Sequence, residues 1–248
     1  MARIFITGSA DGLGEMAATS LVSQGHEVVL HARNSERAHQ ALSKVRGAAN
    51  VLIADLSSVD ETKTLAGQVN ALGKFDAVIH NAAVYRVPGE LIVAVNTLAP
   101  YILTCLIQRP ERLIYLSSGM HFSGKLSLEG LANNTNRITY SDSKLHMVTL
   151  SMAVARKWPE VYSNSVDPGW VPTKMGGRSA PDNLEKGFET QAWLAVSDDA
   201  NAKVSGRYFH HKKVSRHKSE ADDISSQENF LSICEQITGV KFPDRHSL

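Results

Sequence analysis

Tyr140 and Lys144 stand four residues apart in the segment Thr139-Tyr-Ser-Asp-Ser-Lys-Leu-His-Met-Val. On a helix that spacing stacks the two side chains on one face, one turn apart. A phenol titrates near ~10 and is a poor proton donor or acceptor at neutral pH. A neighbouring ammonium favours the phenolate and draws its pKa toward the working range, which suits the pair to general acid/base chemistry. A Tyr-x-x-x-Lys pair alone is a weak signal, and further segments in chain order strengthen it.

The first of these is Ile4-Phe-Ile-Thr-Gly-Ser-Ala-Asp-Gly-Leu-Gly-Glu. The apolar run predicts a buried strand that breaks into glycines at Gly8, Gly12 and Gly14, and Glu15-Met-Ala-Ala-Thr-Ser-Leu-Val then reads as helix. Strand, glycine-rich turn and helix N-terminus form a phosphate site, because bare backbone N–H groups and the helix dipole face an anion. The spacing is Gly-x-x-x-Gly-x-Gly rather than the commoner Gly-x-Gly-x-x-Gly. Ala10, Asp11 and Leu13 in the same turn join the glycines as cofactor-contact candidates.

The next apolar run, Glu27-Val-Val-Leu-His, ends at Ala32-Arg33-Asn34-Ser35, where a nucleotide-binding fold contacts the adenosine ribose. NAD-binding versions place a carboxylate there, about 20 residues beyond the glycines. This chain offers Arg33 instead, with Asn34 beside it. A guanidinium suits a 2′-phosphate, so NADP (NADPH) is expected over NAD. Asp11 supplies no second cation.

With these motifs the chain resembles the short-chain dehydrogenase/reductase family over most of its length. Thr7-Gly-Ser-Ala-Asp-Gly-Leu-Gly14 is similar to the family's Thr-Gly-x-x-x-Gly-x-Gly. The resemblance implies that Asp55 and Leu56 lie by the adenine, and that Asn81, Ala82 and Ala83 stand where the family has Asn-Asn-Ala-Gly. It implies that Asn96, Ser118, Tyr140 and Lys144 are the catalytic Asn, Ser, Tyr and Lys. Asp167-Pro-Gly-Trp-Val-Pro-Thr173 resembles the segment along the nicotinamide, which implies contacts from Pro168, Gly169, Val171 and Thr173. His80 and Ala83 depart from the family pattern, and His80 is expected to add a titratable group near the cofactor cleft. The stretch Gly119 to Asn134, and Ser205-Gly-Arg-Tyr-Phe209, resemble retinol-dehydrogenase-like members.

These residues need a frame that gathers them. Strands are expected at Arg3–Thr7, Glu27–His31, Asn50–Ala54, Ala77–His80, Arg112–Leu116, Val161–Val166 and near Arg207–His210. Helical patterns fall between them at Leu13–Ser23, Glu36–Val45, Val59–Leu72, Val95–Ile107 and Ser141–Lys157, with Ser225–Ile237 as a closing helix. The alternation predicts one α/β domain over 1–248, a doubly wound Rossmann-type fold with a parallel sheet of about seven strands. Ligands bind such sheets beyond the carboxyl ends of the strands, where the motif residues fall. A substrate loop is expected over about 170–195, with Tyr85, Phe122, Trp170 and Met175 as apolar wall, and a mobile loop over Lys212–Ser226.

The 248 residues carry a net charge of +1, which gives no electrostatic case for a nucleic-acid or acidic-membrane partner. The two cysteines, Cys105 and Cys234, fall in apolar helical patterns and read as buried thiols rather than a disulfide or metal site. The stretch Leu91 to Ile107 contains Asn96 and Pro100 and is expected to fall short of a membrane span. No metal is expected, and the cytoplasm is the expected location. His210, His211 and His217 with Lys212, Lys213 and Lys218 make a basic patch that reads as solvated surface.

Together the residues predict an NADP-dependent oxidoreductase moving hydride between the nicotinamide and a small carbonyl or alcohol substrate. Tyr140 exchanges the proton, Ser118 orients the substrate oxygen, and Lys144 holds the nicotinamide ribose. Asn96 resembles the family residue that bends its helix. Ser117 competes with Ser118 for the serine role, and the strand end favours Ser118. The alternative is a non-catalytic NADP-binding sensor on the same fold, against which the intact Ser118, Tyr140 and Lys144 argue. Homo-oligomers are common in the family, and the sequence leaves the state open.

Overall fold

The N-terminal apolar run becomes β1 (Arg3–Ile6), fully shielded on both sides: Phe5 joins one core, Ile4 and Ile6 the other. That two-sided burial is what a central parallel strand requires. The structure, a computed structural model, describes residues 1–244, so the last four residues of the domain expected over 1–248 lie outside the described residues. After β1 come α1 (Gly12–Ser23), β2 (Glu27–Ala32), α2 (Ser35–Lys44), β3 (Asn50–Ile53), α3 (Val59–Ala71) and β4 (Ala77–His80). Then follow α4 (Gly89–Val93), a π-helical turn (Ala94–Leu98), α5 (Ala99–Leu106), β5 (Arg112–Leu116), α6 (Leu128–Asn133), α7 (Tyr140–Lys157) and β6 (Tyr162–Asp167). The chain closes with α8 (Leu184–Val196), β7 (Arg207–His210), β8 (Lys213–Ser215) and α9 (Ile224–Thr238).

The strands form one sheet in the order β3-β2-β1-β4-β5-β6-β7-β8, parallel except for β8, which runs antiparallel to β7. Strand order reverses between β1 and β4, and a ligand crevice opens at such a switch point. Helices α1, α2 and α8 cover one face, and α3, α5 and α7 the other. The protein is thus a single doubly wound α/β domain.

The sheet has eight strands where about seven were expected. The eighth lies inside the expected mobile loop over Lys212–Ser226, which also holds a 3-10 turn at Ser219–Asp222. β8 is three exposed residues long and carries no apolar alternation for a sequence pattern to detect. Helix α8 occupies the second half of the expected substrate loop and is capped by Asn183, whose side chain accepts from the Lys186 N–H at 3.0 Å. Gly187 interrupts its apolar stripe because a Cβ there would lie 2.9 Å from Val171 Cγ1.

From Gly89 to Leu106 the helix is continuous, 18 residues with mean hydropathy 1.5, and by length and composition it could cross a membrane. The expectation that this stretch falls short of a span is corrected: the helix starts at Gly89, not Val95. It is 78% buried, chiefly in the core that α3, α5 and α7 share, and so serves as a core helix.

Candidate active site

The turn after β1 is shaped by close approaches. Gly8 has φ +64, and a Cβ on it would come within 2.8 Å of Ala82 Cα. A Cβ on Gly14 would meet Asn81 Nδ2 at 2.4 Å and the Gly8 carbonyl at 2.6 Å. Gly12, with φ +57 at the start of α1, has open space above it, as an anion site at a helix N-terminus requires.

Two residues hold this turn from below. Asn81 Nδ2 donates to the Thr7 and Gly8 carbonyls at 3.0 and 3.1 Å, while Thr7 Oγ1 accepts from the N–H groups of Asn81 and Ala82. His31, at the end of β2, accepts the Gly8 N–H on Nδ1 at 3.0 Å, which leaves Nε2–H to donate to the Ala54 carbonyl at 3.0 Å. Burial drives its pKa down to about 4, so the ring is neutral. His31 lay outside the expected site residues; its signal in the sequence is a histidine among the apolar residues of a buried strand. His80 is corrected. It lies wholly buried, stacked on Tyr115 at 4.8 Å with Nε2 3.3 Å from Thr104 Oγ1, and lines no part of the cleft. Burial pushes its pKa to about 3.

At the end of the cavity beside β2 and β3, Arg33, Asp55 and Leu56 line its wall, and Ser57 N–H holds the Asp55 carboxyl below its usual range. Asn34 does not reach it, because its side chain caps α2 by accepting the Arg37 N–H at 3.0 Å. Arg37 does line it, a second cation four residues beyond Arg33 that lay outside the expected set because it reads as a surface residue of α2. Its guanidinium pairs with Asp11, and Lys174 reaches the same carboxylate oxygen at 3.3 Å. Burial alone would raise the Asp11 carboxyl; the two cations hold it below its ordinary range.

The other end is built on α7. Thr139 caps the helix by accepting the Asp142 N–H on Oγ1, and Asp142 Oδ2 accepts the Thr139 N–H, a reciprocal capping box. The cap fixes where α7 begins and so places Tyr140 in its first turn, with Lys144 one turn further in. Lys144 Nζ lies 5.2 Å from the Tyr140 ring centroid and donates to the Leu116 carbonyl at 2.8 Å. The Tyr85 ring packs edge-on against Tyr140 at 4.8 Å, and the Tyr140 hydroxyl points to Met175 Sδ at 3.9 Å.

The electrostatics differ from the expected lowering of Tyr140. Burial pushes the phenol well above its ordinary value, and Tyr85 and Asp167 add to the rise. Burial also pulls Lys144 down to about 8, against the opposing charge of Asp167. Within the chain, desolvation outweighs the ammonium.

Ser118 is partly exposed at the cap of the 3-10 turn Gly119–Ser123, where its Oγ accepts the Met120 N–H at 3.2 Å. Ser117 lines the cavity wall, but its Oγ donates to the Lys144 carbonyl at 2.9 Å. Asn96 is buried in the π-helical turn. Pro100 has no N–H for the Asn96 carbonyl, and the Ala99 N–H instead reaches back to Ala94, which widens the turn. Beyond β6, Pro168 and Thr173 line the cavity; Gly169 (φ +79) makes the bend, and buried Val171 packs on Gly187.

One cavity of about 710 Å³ joins the two ends. Gly8, Ala10, Asp11, Gly12, Leu13, Asn81, Ala82 and Ala83 form its floor between Arg33 at one end and Tyr140 with Lys144 at the other. Of the expected apolar wall only Met175 lines it, joined by Val84, Leu91, Val95 and Leu116. Trp170 is 58% exposed with Nε1–H donating to the Gly176 carbonyl, and Phe122 packs on His121.

Comparison with known proteins agrees with this architecture. A family model described as short chain dehydrogenase matches residues 2–103. An uncharacterized oxidoreductase of Emericella nidulans is 44% identical, covering 98% of this chain and 99% of its own length. The short-chain dehydrogenase chyC of Penicillium rubens is 43% identical, covering 98% and 100%. Human retinol dehydrogenase 13 is 25% identical over 97% of this chain and 85% of its own. A crystal structure of a putative uncharacterized protein from Mycobacterium paratuberculosis shares the fold with a TM-score of 0.82, at 21% identity, covering 98% and 95%. A short chain dehydrogenase from Escherichia coli CFT073, complexed with NADPH, superposes with a TM-score of 0.68 at 22% identity, covering 86% and 97%.

The chain belongs to the short-chain dehydrogenase/reductase family. It is an oxidoreductase of that family, with retinol dehydrogenases among its more distant relatives. The family implies a nicotinamide dinucleotide, and the residues present fit one: the open helix N-terminus at Gly12, the single cavity running from the glycine turn to Tyr140, and the cations Arg33 and Arg37 that line it.

Proposed function

We propose that the protein is an NADP-dependent oxidoreductase acting between a carbonyl and its alcohol, with Tyr140 as general acid/base. One observation carries this reading: Tyr140 and Lys144 line the same continuous cavity as the glycine turn and Arg33. Arg33 and Arg37 would hold a 2′-phosphate, the α1 N-terminus a pyrophosphate, and Lys144, Pro168 and Thr173 the nicotinamide half. When bound, the nicotinamide supplies or accepts the hydride. Tyr140 gives its proton to the substrate oxygen as charge develops there, or takes it back in the reverse direction. Ser118 orients that oxygen, and Asn96 keeps the helix turn beside it in shape. The NADPH bound by a neighbour of the same fold is consistent with this cofactor.

Val84, Leu91, Val95, Leu116 and Met175 make the wall near Tyr140 apolar, which favours a hydrophobic aldehyde, ketone or alcohol over a sugar. Titration of the purified protein with NADPH and NADH, followed by fluorescence, tests the cofactor; a panel of aldehydes and ketones then tests turnover. NADPH binding tighter than NADH, with turnover of apolar carbonyls, is expected. Equal affinity for both would overturn the NADP preference. Tight binding without turnover across the panel would favour the sensor.

A further inference from the structure

We propose that Lys174 is a further cofactor-binding residue, a cation that the turn after β6 brings over the glycine turn to hold the diphosphate of the dinucleotide. This rests on the dinucleotide site proposed above. Asp11 stands at the head of α1. Among the described residues its Oδ2 accepts from Arg37 Nη2 at 2.5 Å and from Lys174 Nζ at 3.3 Å, and its side chain makes no cap to α1. The nearer and more shielded guanidinium is enough to match one carboxylate. The second cation therefore leaves a positive charge over, beside the unpaired N–H groups of the first helical turn. The Lys174 side chain is 81% exposed, and an ion pair that open to water is weak and readily exchanged for a better anion. A diphosphate offers more charge and several acceptor oxygens in place of one shared carboxylate oxygen.

A tightly closed turn fixes where Lys174 starts. The Thr173 N–H donates to the Val171 carbonyl at 2.8 Å, and the Gly177 N–H donates to the Thr173 carbonyl at 2.8 Å. The Gly176 N–H donates to Thr173 Oγ1 at 3.2 Å, and the Trp170 indole N–H closes the outside of the turn on the Gly176 carbonyl at 2.8 Å. A Cβ on Gly176 would collide with the Val171 carbonyl, so the turn closes this far only with glycine there. Consecutive side chains leave it for two parts of the cavity, which both of them line. Lys174 meets Asp11 at the glycine turn, and Met175 Sδ lies 3.9 Å from the Tyr140 hydroxyl. The turn thus crosses the cavity between the glycine turn and Tyr140, where a diphosphate joins the two halves of a dinucleotide.

The test is binding to the purified full chain of NADPH, NADH and adenosine 2′-monophosphate, each at low and at high salt. The diphosphate is common to the two dinucleotides and missing from the third probe. Lys174→Met should therefore weaken NADPH and NADH by the same factor, roughly tenfold, with a shallower salt dependence, and leave adenosine 2′-monophosphate nearly unchanged. Lys174→Arg should retain most of the affinity. Unchanged affinities in Lys174→Met, or a loss confined to NADPH, would overturn the proposal. Asp11→Asn separates a ligand from a latch, because it frees the ammonium without removing it. It should tighten NADH as well as NADPH. Weakening of both, as in Lys174→Met, would mean that Lys174 acts only by pinning its turn to Asp11, and would overturn the proposal. A preference of the unchanged protein for NADH, or binding without turnover, would overturn the proposed function alone, and the common loss in Lys174→Met would still decide Lys174. Binding of neither dinucleotide would overturn both.

Discussion

The carboxamide of Asn96 takes both hydrogen bonds of one residue's backbone: Oδ1 accepts the Val84 N–H at 2.8 Å and Nδ2 donates to the Val84 carbonyl at 3.0 Å. Nδ2 also reaches Ser143 Oγ at 3.1 Å, on the turn of α7 that carries Tyr140 and Lys144. One side chain thus ties the widened helical turn, the segment leaving β4 and the first turns of α7 together. The Asn81–Ala83 floor and the Tyr140 wall are held in register by this contact.

Asn96→Ala should therefore cost about 2 kcal/mol or more, because it strips partners from two partly buried backbone groups as well as leaving a void. Asn96→Asp, which keeps the acceptor and loses the donor, should have an intermediate effect. Urea denaturation with an unchanged m-value checks this. A loss below about 0.5 kcal/mol for Asn96→Ala would mean that Val84 is held by other contacts.

Arg33 and Arg37 differ in how free they are. Arg37 is already paired with Asp11, whereas Arg33 is exposed at the cavity rim and acts on Asp55. Arg33→Ala should weaken NADPH by roughly 10- to 100-fold, the range of a ~1.5–3 kcal/mol hydrogen bond to a charged group, and leave NADH nearly unchanged. Asp11→Asn, which releases Arg37 and Lys174, should tighten NADPH by several-fold at low salt. Parallel binding titrations with both nucleotides decide it; equal loss of NADPH and NADH in Arg33→Ala would remove the 2′-phosphate role.

Much of this was legible in the chain because glycines, strand ends and a short helical spacing are local signals. Gly8, Gly12 and Gly14 announced their turn, and Tyr140 and Lys144 their shared face. What escaped were features set by tertiary contact. Arg37 reads as an ordinary surface residue until Asp11 is seen across from it. Asn34 looks like a cofactor contact until α2 starts beside it and its side chain is spent as a cap. His80 reads as a cleft residue from its place in the motif, but strand alternation turns it away from the cleft onto Tyr115. The phenol pKa could not be read from spacing, because it depends first on burial in the folded core, with Tyr85 and Asp167 adding to the rise.

The two neutral histidines at the ends of β2 and β4 predict how stability falls in acid. An unfolded histidine titrates near 6.5, while folded His80 and His31 do so at about 3 and about 4. Above pH 6.5 both states carry neutral rings and neither histidine contributes a slope. Between 6.5 and 4 the unfolded chain binds protons that the folded one refuses, so stability drops as pH falls, by up to ~1.4 kcal/mol per pH unit per histidine. His80→Asn should be less stable at pH 8, having lost the stack on Tyr115, yet show a shallower decline between pH 6 and 4. Chemical denaturation across that range checks it, and an unchanged slope would mean that His80 takes up a proton without unfolding.

The most direct test of the central claim is NADPH oxidation in the presence of apolar aldehydes and ketones by the unchanged protein and by Tyr140→Phe, with NADPH affinity measured on both. Turnover by the unchanged protein, falling at least ~100-fold in Tyr140→Phe while NADPH affinity stays within a few-fold, is the expected result. Comparable turnover in both proteins would contradict the account and remove Tyr140 from proton transfer.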